Sequence, residues 1–273
     1  MTHPTATLRP MYLGDLQSAL KIIESHDDDD AEAAEAEYQE EGLDNQFVLE
    51  ANDKVIGVSG FRTVTATDGT CWLSWTYLDK AAMGQGQGGA MIRQVLDAAR
   101  EAGGRKLFAK VSDYEDPEQG PVYAQAMQAY QALGFTEELV GNDFYDEAEN
   151  QHILGLRLKD RDADAPDEVA AEKPTIRFNG LFEIAETDGA YSFNWDVAKS
   201  SLLGRRSFSR EDVEIGLQAA KQQGGRKVFL TFPANLPLIH APLQEAGFKY
   251  VGRLTDYYED GLDELHFVHE LNE

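Results

Sequence analysis

Met83-Gly84-Gln85-Gly86-Gln87-Gly88-Gly89-Ala90 follows the apolar run Cys71-Trp72-Leu73-Ser74-Trp75-Thr76-Tyr77-Leu78 and precedes a helical pattern at Met91, Ile92, Val95, Leu96 and Ala99. A strand, a glycine-rich turn and a helix in that order present unpaired backbone N–H groups at a helix N-terminus, where an anion is favoured. A pyrophosphate is the anion this pattern points to. The spacing of Gly84, Gly86, Gly88 and Gly89 is not the dinucleotide Gly-x-Gly-x-x-Gly, and no Lys-Ser/Thr follows as a P-loop requires. Further on, Ala126-Met127-Gln128-Ala129-Tyr130-Gln131-Ala132-Leu133-Gly134-Phe135 reads as a helix that ends at a glycine and runs into a strand. Tyr130 falls on the apolar face of that helix with Val122, Ala126 and Leu133.

Together these two segments resemble the GNAT superfamily of acyl-CoA-dependent N-acetyltransferases. That family's acyl-CoA signature is Arg/Gln-x-x-Gly-x-Gly/Ala, and its later helix carries Ala-x-x-x-Tyr-x-x-x-Gly-Phe. The first becomes Met83-Gly84-Gln85-Gly86-Gln87-Gly88 here, and the second matches at Ala126, Tyr130, Gly134 and Phe135. Met83 departs from the pattern, standing where the family has Arg or Gln. Backbone amides carry most of the phosphate contact, so the departure is expected to weaken CoA binding rather than abolish it. Leu8-Arg9-Pro10, leading into Asp15 and an apolar helix with Leu16, Ala19, Leu20 and Ile23, also fits the family's N-terminus.

The resemblance implies a mixed α/β fold, with a twisted, mainly antiparallel sheet and helices on both faces. It implies acetyl-CoA as the acyl-donor cosubstrate, with no metal. Acetyl-CoA would lie between two parallel strands that splay apart, Leu73 to Leu78 and Lys106 to Val111. Main-chain N–H groups of Thr76 and Leu78 would then stabilise the oxyanion developing on the thioester. Gln85, Gly86, Gln87, Gly88, Gly89 and Ala90 would hold the pyrophosphate. Tyr130 matches the position from which a hydroxyl assists departure of the CoA thiolate as an acceptor amine attacks directly.

That amine must first lose a proton, and the base is harder to assign. Several family members use a glutamate early in the strand that here reads Cys71-Trp72-Leu73, which has no carboxylate. Asp113 at the end of the following strand is the first choice, ahead of Glu115, Asp79 and His26, and a water chain is an alternative. The acceptor is expected against the N-terminal helices, where His26-Asp27-Asp28-Asp29-Asp30 is followed by Glu32, Glu35, Glu37, Glu40 and Glu41. His26, Asp27 and Asp30 are candidates to bind an amino group, with Trp75 and Tyr77 as an apolar or cation–π wall. The same run also reads as a solvated loop and helix N-cap. Divalent metal binding is a third reading, against which stands the lack of alternating ligands and glycine.

Acids outnumber bases by 49 − 24 = 25, a balance that repels nucleic acid and anionic membranes. The acids are spread along the chain, which favours general solvation over recruitment of a cationic acceptor. No run approaches a membrane span and no signal-peptide pattern is present, so a soluble, cytoplasmic protein is expected. Cys71, the single cysteine, reads as a core residue.

Residues 160–174 combine charge, alanine and proline with little to bury, as a linker does. Residues 175–273 echo the N-terminal stretch. Gly103-Gly104-Arg105-Lys106-Leu107-Phe108 recurs as Gly224-Gly225-Arg226-Lys227-Val228-Phe229, and Leu133-Gly134-Phe135 recurs as Ala246-Gly247-Phe248. The reading is a catalytic domain at 1–159, an acidic linker at 160–174, and a shorter, degenerate copy at 175–273. Hairpin turns are expected at Asn179-Gly180 and Asp188-Gly189. The copy has Gly204-Arg205-Arg206-Ser207-Phe208-Ser209 in place of the glycine turn and Leu243 in place of Tyr130, so it is not expected to be catalytic.

The function expected is transfer of the acetyl group of acetyl-CoA to a primary amine of a small molecule. A non-catalytic acyl-CoA-binding or sensing module and a protein or peptide N-acetyltransferase are the alternatives. A homodimer is left open.

Overall fold

The computed structural model describes residues 6–118, 120–172, 174, 176–197 and 209–271. Contact density divides the chain into two compact units, Met1–Glu137 with Ile153–Asp160, and Glu138–His152 with Arg161–Glu273.

The first part of the chain runs β1 (Thr7–Pro10), α1 (Leu16–Glu24), α2 (Asp28–Glu41), β2 (Gln46–Ala51), β3 (Lys54–Thr63), β4 (Thr70–Leu73), β5 (Tyr77–Leu78) and α3 (Gln87–Glu101). It continues through β6 (Lys106–Ser112), the short pair β7 (Glu115–Asp116) and β8 (Gly120–Pro121), α4 (Ala124–Ala132), β9 (Thr136–Asp146) and β10 (Glu149–Arg157). The sheet order is β1-β2-β3-β4-β6-β10-β9, with β5 paired to β3. This is a mixed α/β fold: β4 and β6 are parallel, while β1·β2, β2·β3 and β3·β4 are antiparallel.

Local chemistry accounts for these elements. Asn52 and Asp53 both adopt positive φ, 51° and 57°, and close the β2–β3 hairpin as a two-residue turn of that handedness requires. α3 buries Met91, Ile92, Val95, Leu96 and Ala99, the stripe its periodicity predicts. Of that stripe, Ile92, Val95, Leu96 and Ala99 join Phe61, Cys71, Leu107, Ala109, Tyr130, Phe135 and Leu154 in one core. α1 and α2 form a second core, with Ala19, Ile23, Ala34 and Tyr38 packed on Val48 and Val58.

The second unit has the sheet order β11-β12-β13-β15-β14, built from β11 (Ile176–Glu183), β12 (Ala190–Val197), β13 (Lys227–Pro233), β14 (Lys249–Glu259) and β15 (Leu262–Glu270). α5 (Arg210–Gln222) lies between β12 and β13 in sequence, and α6 (His240–Glu245) between β13 and β14. Their core gathers Val213, Ala220, Val228, Leu230, Phe232, Leu243 and Phe267. The hairpin segment 138–152 groups here because Lys227 Nζ donates to the Asn142 carbonyl and pairs with Asp143 Oδ2, each at 3.0 Å, and the Phe144 ring lies 4.9 Å from that of Phe229.

Three expectations are corrected. The run 71–78 is not one strand, because pairing lapses over Ser74–Thr76 and leaves β4 and β5 separate. Asn179-Gly180 is not a hairpin turn: β11 passes through it, and the extra residue is absorbed as a bulge between Phe178 and Gly180. Val122 precedes α4 and is exposed, so it does not share the buried face of Tyr130. Residues 204–208, the counterpart of the glycine turn, lie outside the described residues.

Gly69 and Gly189 occupy matching turns before β4 and β12, at φ +71° and +64°. A Cβ on Gly69 would stand 2.8 Å from the Gly103 carbonyl oxygen, whereas on Gly189 the nearest atom is at 3.4 Å. Gly69→Ala is therefore expected to cost about 2–3 kcal/mol and Gly189→Ala about 1–2 kcal/mol. Denaturant midpoints read from the fluorescence of Trp72 and Trp75 for the first change, and of Trp195 for the second, check this order.

Candidate active site

The site begins where strand pairing ends. β4 and β6 pair in parallel at Thr70↔Lys106, Cys71↔Leu107 and Trp72↔Phe108, and the register goes no further. Beyond it the chain of β4 stays with β3: Ser74 N–H donates to the Gly60 carbonyl at 2.9 Å and Asp79 N–H to the Ile56 carbonyl at 2.8 Å. Alternation along a strand turns the Leu78 N–H away from β3 and toward the gap on the β6 side. The Leu78 carbonyl points the same way and accepts a hydrogen bond from His26 Nε2 at 2.8 Å.

Thr76 stands in the pairing break. Its hydroxyl donates to the Ser74 carbonyl at 2.7 Å, lies 2.9 Å from Ser59 Oγ, and is the polar group that acts on the phenol of Tyr130. Tyr130 is 5 % exposed, on α4, with its ring 5.4 Å from that of Phe135. Burial pushes its phenol up to about 12, against the opposing pull of Thr76, so the group is a proton donor at neutral pH.

The glycine turn arrives at the same break. Gly84 and Gly86 have φ of +73° and +77°, and Gly86 caps α3 in the left-handed conformation that only glycine adopts cheaply. A Cβ at Gly84 or Gly86 would meet nothing within 4 Å, and one at Gly88 only Leu78 Cδ2 at 4.0 Å. The turn is thus an open cradle of backbone N–H groups rather than a packing device, and it suits a pyrophosphate. Beside it a cavity of about 200 Å³ is lined by Gln85, Gly86, Gln87, Ala90 and Gln94 together with Leu49 and Ala6. Gln87 Oε1 is buried there with no hydrogen-bond partner among the described residues, a vacant acceptor for an N–H or O–H of a ligand.

On the α1–α2 side, Asp27 is the N-cap of α2, accepting from the N–H groups of Asp29 and Asp30 at 2.9 and 3.2 Å. Asp28 and Asp29 point to solvent, whereas Asp30 turns inward and accepts through Oδ2 from the phenols of Tyr77 and Tyr123, the latter at 3.1 Å. Tyr123 also reaches Asp27 Oδ2 at 3.3 Å, and the His26 ring lies 5.4 Å from Tyr77. Burial holds the Asp30 carboxyl above the usual carboxylate range and both phenols above the usual tyrosine range. His26, Asp27, Asp30 and Tyr77 thus converge as one cluster. Trp75 is directed elsewhere, its indole donating to Glu37 Oε2 at 2.9 Å while Glu37 Oε1 pairs with Arg62 at 3.0 Å.

Tyr123 is the member that the sequence reading missed. It stands at the N-cap of α4, 130 − 123 = 7 residues before Tyr130. Of the base candidates, Asp79 is occupied, paired with Lys54 at 2.8 Å and capping Ala81 N–H, and Lys54 holds it below its ordinary range. Asp113 stands half-exposed just beyond β6, and Glu115 is exposed in β7. Among the described residues, no group of three or more His, Cys, Asp or Glu is placed to hold a metal ion, and no helix is long and apolar enough to cross a membrane.

The profile of the acetyltransferase (GNAT) family matches residues 11–135, the segment holding the pairing break, the glycine turn and Tyr130. Residues 11–135 are a GNAT acetyltransferase domain. The acyl-CoA-dependent N-acyltransferase activity read from the sequence is the activity of that family. No curated protein matches the chain. Solved structures similar to the GNAT domain include a GNAT-family protein from Desulfovibrio desulfuricans, at 24% identity and TM-score 0.49, covering 57% of this chain and 100% of its own. Another is yncA from Salmonella typhimurium with its cofactor acetyl-CoA, at 21%, TM-score 0.47, 59% and 98%. A third is the ribosomal-protein-S18-alanine N-acetyltransferase from Escherichia coli, at 20%, TM-score 0.47, 59% and 99%.

The buried Asp30 of the GNAT domain carries a pH signature. Because its folded value lies above its unfolded one, its contribution to stability is fully present below the unfolded value and is lost as pH rises through the folded value. Raising pH from about 4 to about 7 is therefore expected to shift the melting-temperature difference between the parent and Asp30→Asn in favour of the variant. Thermal melts of both proteins across that range measure it.

Proposed function

We propose that the chain transfers the acetyl group of acetyl-CoA directly to a primary amine of a small molecule, with residues 1–159 as the catalytic domain. One observation carries this reading. The strand-pairing break brings the Leu78 main chain, the Thr76 hydroxyl and the Tyr130 phenol together at the end of an open glycine cradle.

Gln85, Gly86, Gln87, Gly88, Gly89 and Ala90 would hold the pyrophosphate, and the bound cosubstrate supplies an acyl group activated as a thioester. The Leu78 N–H, directed into the gap, and that of Thr76 would oppose the charge developing on the acyl oxygen. The amine nitrogen forms the new bond to the acyl carbon as the carbon–sulfur bond breaks, and the departing sulfur takes a hydrogen bond and then a proton from Tyr130. Asp113, or water leading to it, takes the proton that the amine loses. The acceptor's ammonium form would be gathered by Asp27 and Asp30, with His26 and Tyr77 beside them; the carboxylates supply the charge and the rings an apolar wall.

The C-terminal unit reads best as a degenerate copy of the same plan. Four hydrogen bonds support this by recurring in pairs. Arg105 N–H to Gly69 O (2.6 Å) is matched by Arg226 to Gly189 (2.8 Å), and Gly104 to Ala99 (2.8 Å) by Gly225 to Ala220 (2.9 Å). Phe135 to Tyr130 (3.1 Å) is matched by Phe248 to Leu243 (3.0 Å), and Leu158 to Arg105 by Leu271 to Arg226, both 2.8 Å. Asp143 and Asp256 adopt φ of 45° and 51°, and each N–H donates at 2.8 Å to a side chain seven positions on. This repeat boundary is one of descent, whereas contact density groups 138–152 with the C-terminal residues. The copy has lost the chemistry, since buried Leu243 replaces Tyr130 and the first turn of α5 carries Glu211 and Asp212, which repel an anion.

Calorimetric titration with acetyl-CoA tests the cosubstrate, and saturable binding is expected to vanish in a Gly86→Trp, Gly88→Trp double variant. Tyr130→Phe is expected to lower kcat about a hundredfold or more with the Kd for acetyl-CoA unchanged. Because the phenol titrates only at about 12, no tyrosine-linked fall in kcat is expected below about pH 10. Binding without turnover on any amine would move the assignment to a sensing module.

A further inference from the structure

Cations are scarce in this chain, 24 lysines and arginines against 49 acids, and the described arginines are correspondingly partnered. Arg9 pairs with Asp15 and Glu50, Arg62 with Glu37, Arg100 with Asp97, Arg210 with Glu214 and Arg253 with Asp263. Arg93 makes no hydrogen bond or ion pair among the described residues. Helical side chains lean toward the N-terminus, and the Arg93 guanidinium reaches back over the first turn of α3, with Nη2 3.9 Å from where a Cβ on Gly89 would stand. That is the wrong end of a helix for a cation, because the macrodipole there is positive. Acids occupy the first turns of α2, at Asp28, Asp29 and Asp30, and of α5, at Glu211 and Asp212, whereas those of α1, α3, α4 and α6 carry none. The Arg93 guanidinium therefore meets no carboxylate within the first turn of α3. An arginine without an ion pair among the described residues and the open N–H groups of the glycine turn meet at the start of α3.

We propose that Arg93 is the phosphate-pairing side chain of the acyl-CoA site, supplying from within α3 the contact that Met83 cannot make. The inference rests on the acyl-CoA reading of the glycine cradle. The guanidinium would complement the backbone cradle by meeting phosphate oxygens that the N–H groups leave open. Both the diphosphate and the 3′-phosphate of CoA present that chemistry.

The test titrates CoA and 3′-dephospho-CoA into the parent, Arg93→Gln and Arg93→Lys by calorimetry, beside melting curves without ligand. Arg93→Gln is expected to bind CoA about tenfold or more weakly, with Arg93→Lys intermediate. The ligand-free melting temperature of Arg93→Gln is expected to equal or exceed that of the parent, because a cation unfavourable to the helix has been removed. A loss with both ligands assigns Arg93 to the diphosphate, and a loss with CoA alone assigns it to the 3′-phosphate; either supports the proposal. Equal affinities of parent and Arg93→Gln for both ligands, or a weakened affinity accompanied by a lowered ligand-free melt, overturn it and leave the acyl-CoA site standing. Absence of CoA binding by the parent overturns both.

Discussion

Parallel pairing between β4 and β6 lasts from Thr70↔Lys106 to Trp72↔Phe108 and then stops, and the rest of the candidate site depends on that interruption. Two backbones that diverge must satisfy their polar groups some other way. On one side β5 stays paired to β3. Within the break, side chains take over: the Thr76 hydroxyl serves the Ser74 carbonyl at 2.7 Å, and the Ser74 hydroxyl accepts from Gln46 Nε2 at 3.1 Å. Hydroxyl side chains that compete with the ladder for backbone partners make a stable break out of what would otherwise be a strained one. Tyr130 is buried on α4, and the Thr76 hydroxyl in the break opposes the upward push of burial on its phenol.

The C-terminal unit parts a parallel strand pair in a different way. β12 and β13 pair in parallel at Ala190↔Lys227, Tyr191↔Val228 and Ser192↔Phe229, and this register too goes no further. Here, however, β12 runs unbroken to Val197 along β11, and the Trp195 indole donates to the Thr231 carbonyl of β13 at 2.9 Å. On the proposed repeat, Trp195 stands where Trp75 does, at an offset of 195 − 75 = 120, the same that separates Gly69 from Gly189. In the N-terminal domain the indole of Trp75 is instead engaged by Glu37 of α2. Nothing among the described residues of the second half corresponds to α1 and α2, so its tryptophan bridges the parting strands itself. On this comparison α2 does more than flank an acceptor: by holding Trp75 through Glu37, it keeps an indole out of the gap.

Much of this was legible in the sequence because it was written in local terms. The glycine turn, the stripe of α3 and the helix ending at Gly134 are patterns of neighbouring residues, and all three elements formed where the patterns placed them. The interruption at Ser74–Thr76 was not legible, since Cys71 to Leu78 is an uninterrupted stretch of strand-forming types and the break depends on what lies across it. Asn179-Gly180 misled for a related reason, as a dipeptide that favours a turn is equally suited to a bulge when β12 stays in register on both sides. Tyr123 escaped because its partners, Asp27 and Asp30, are remote in sequence, and only the fold of α2 against β5 and α4 brings carboxylate and phenols together.

The acidic balance sets the terms on which such a protein can hold a phosphate ligand. A net charge of −25 opposes the approach of any polyanion, and screening confines that opposition to within about 8–10 Å of the surface at physiological salt. Affinity must then come from contacts made at close range. Backbone N–H groups meet that need, because they concentrate partial positive charge at Gly86 to Ala90 without adding to the basic count and cannot be neutralised by a neighbouring carboxylate. Glycine turns that hold phosphate through the main chain are for this reason the design least affected by a strongly acidic surface.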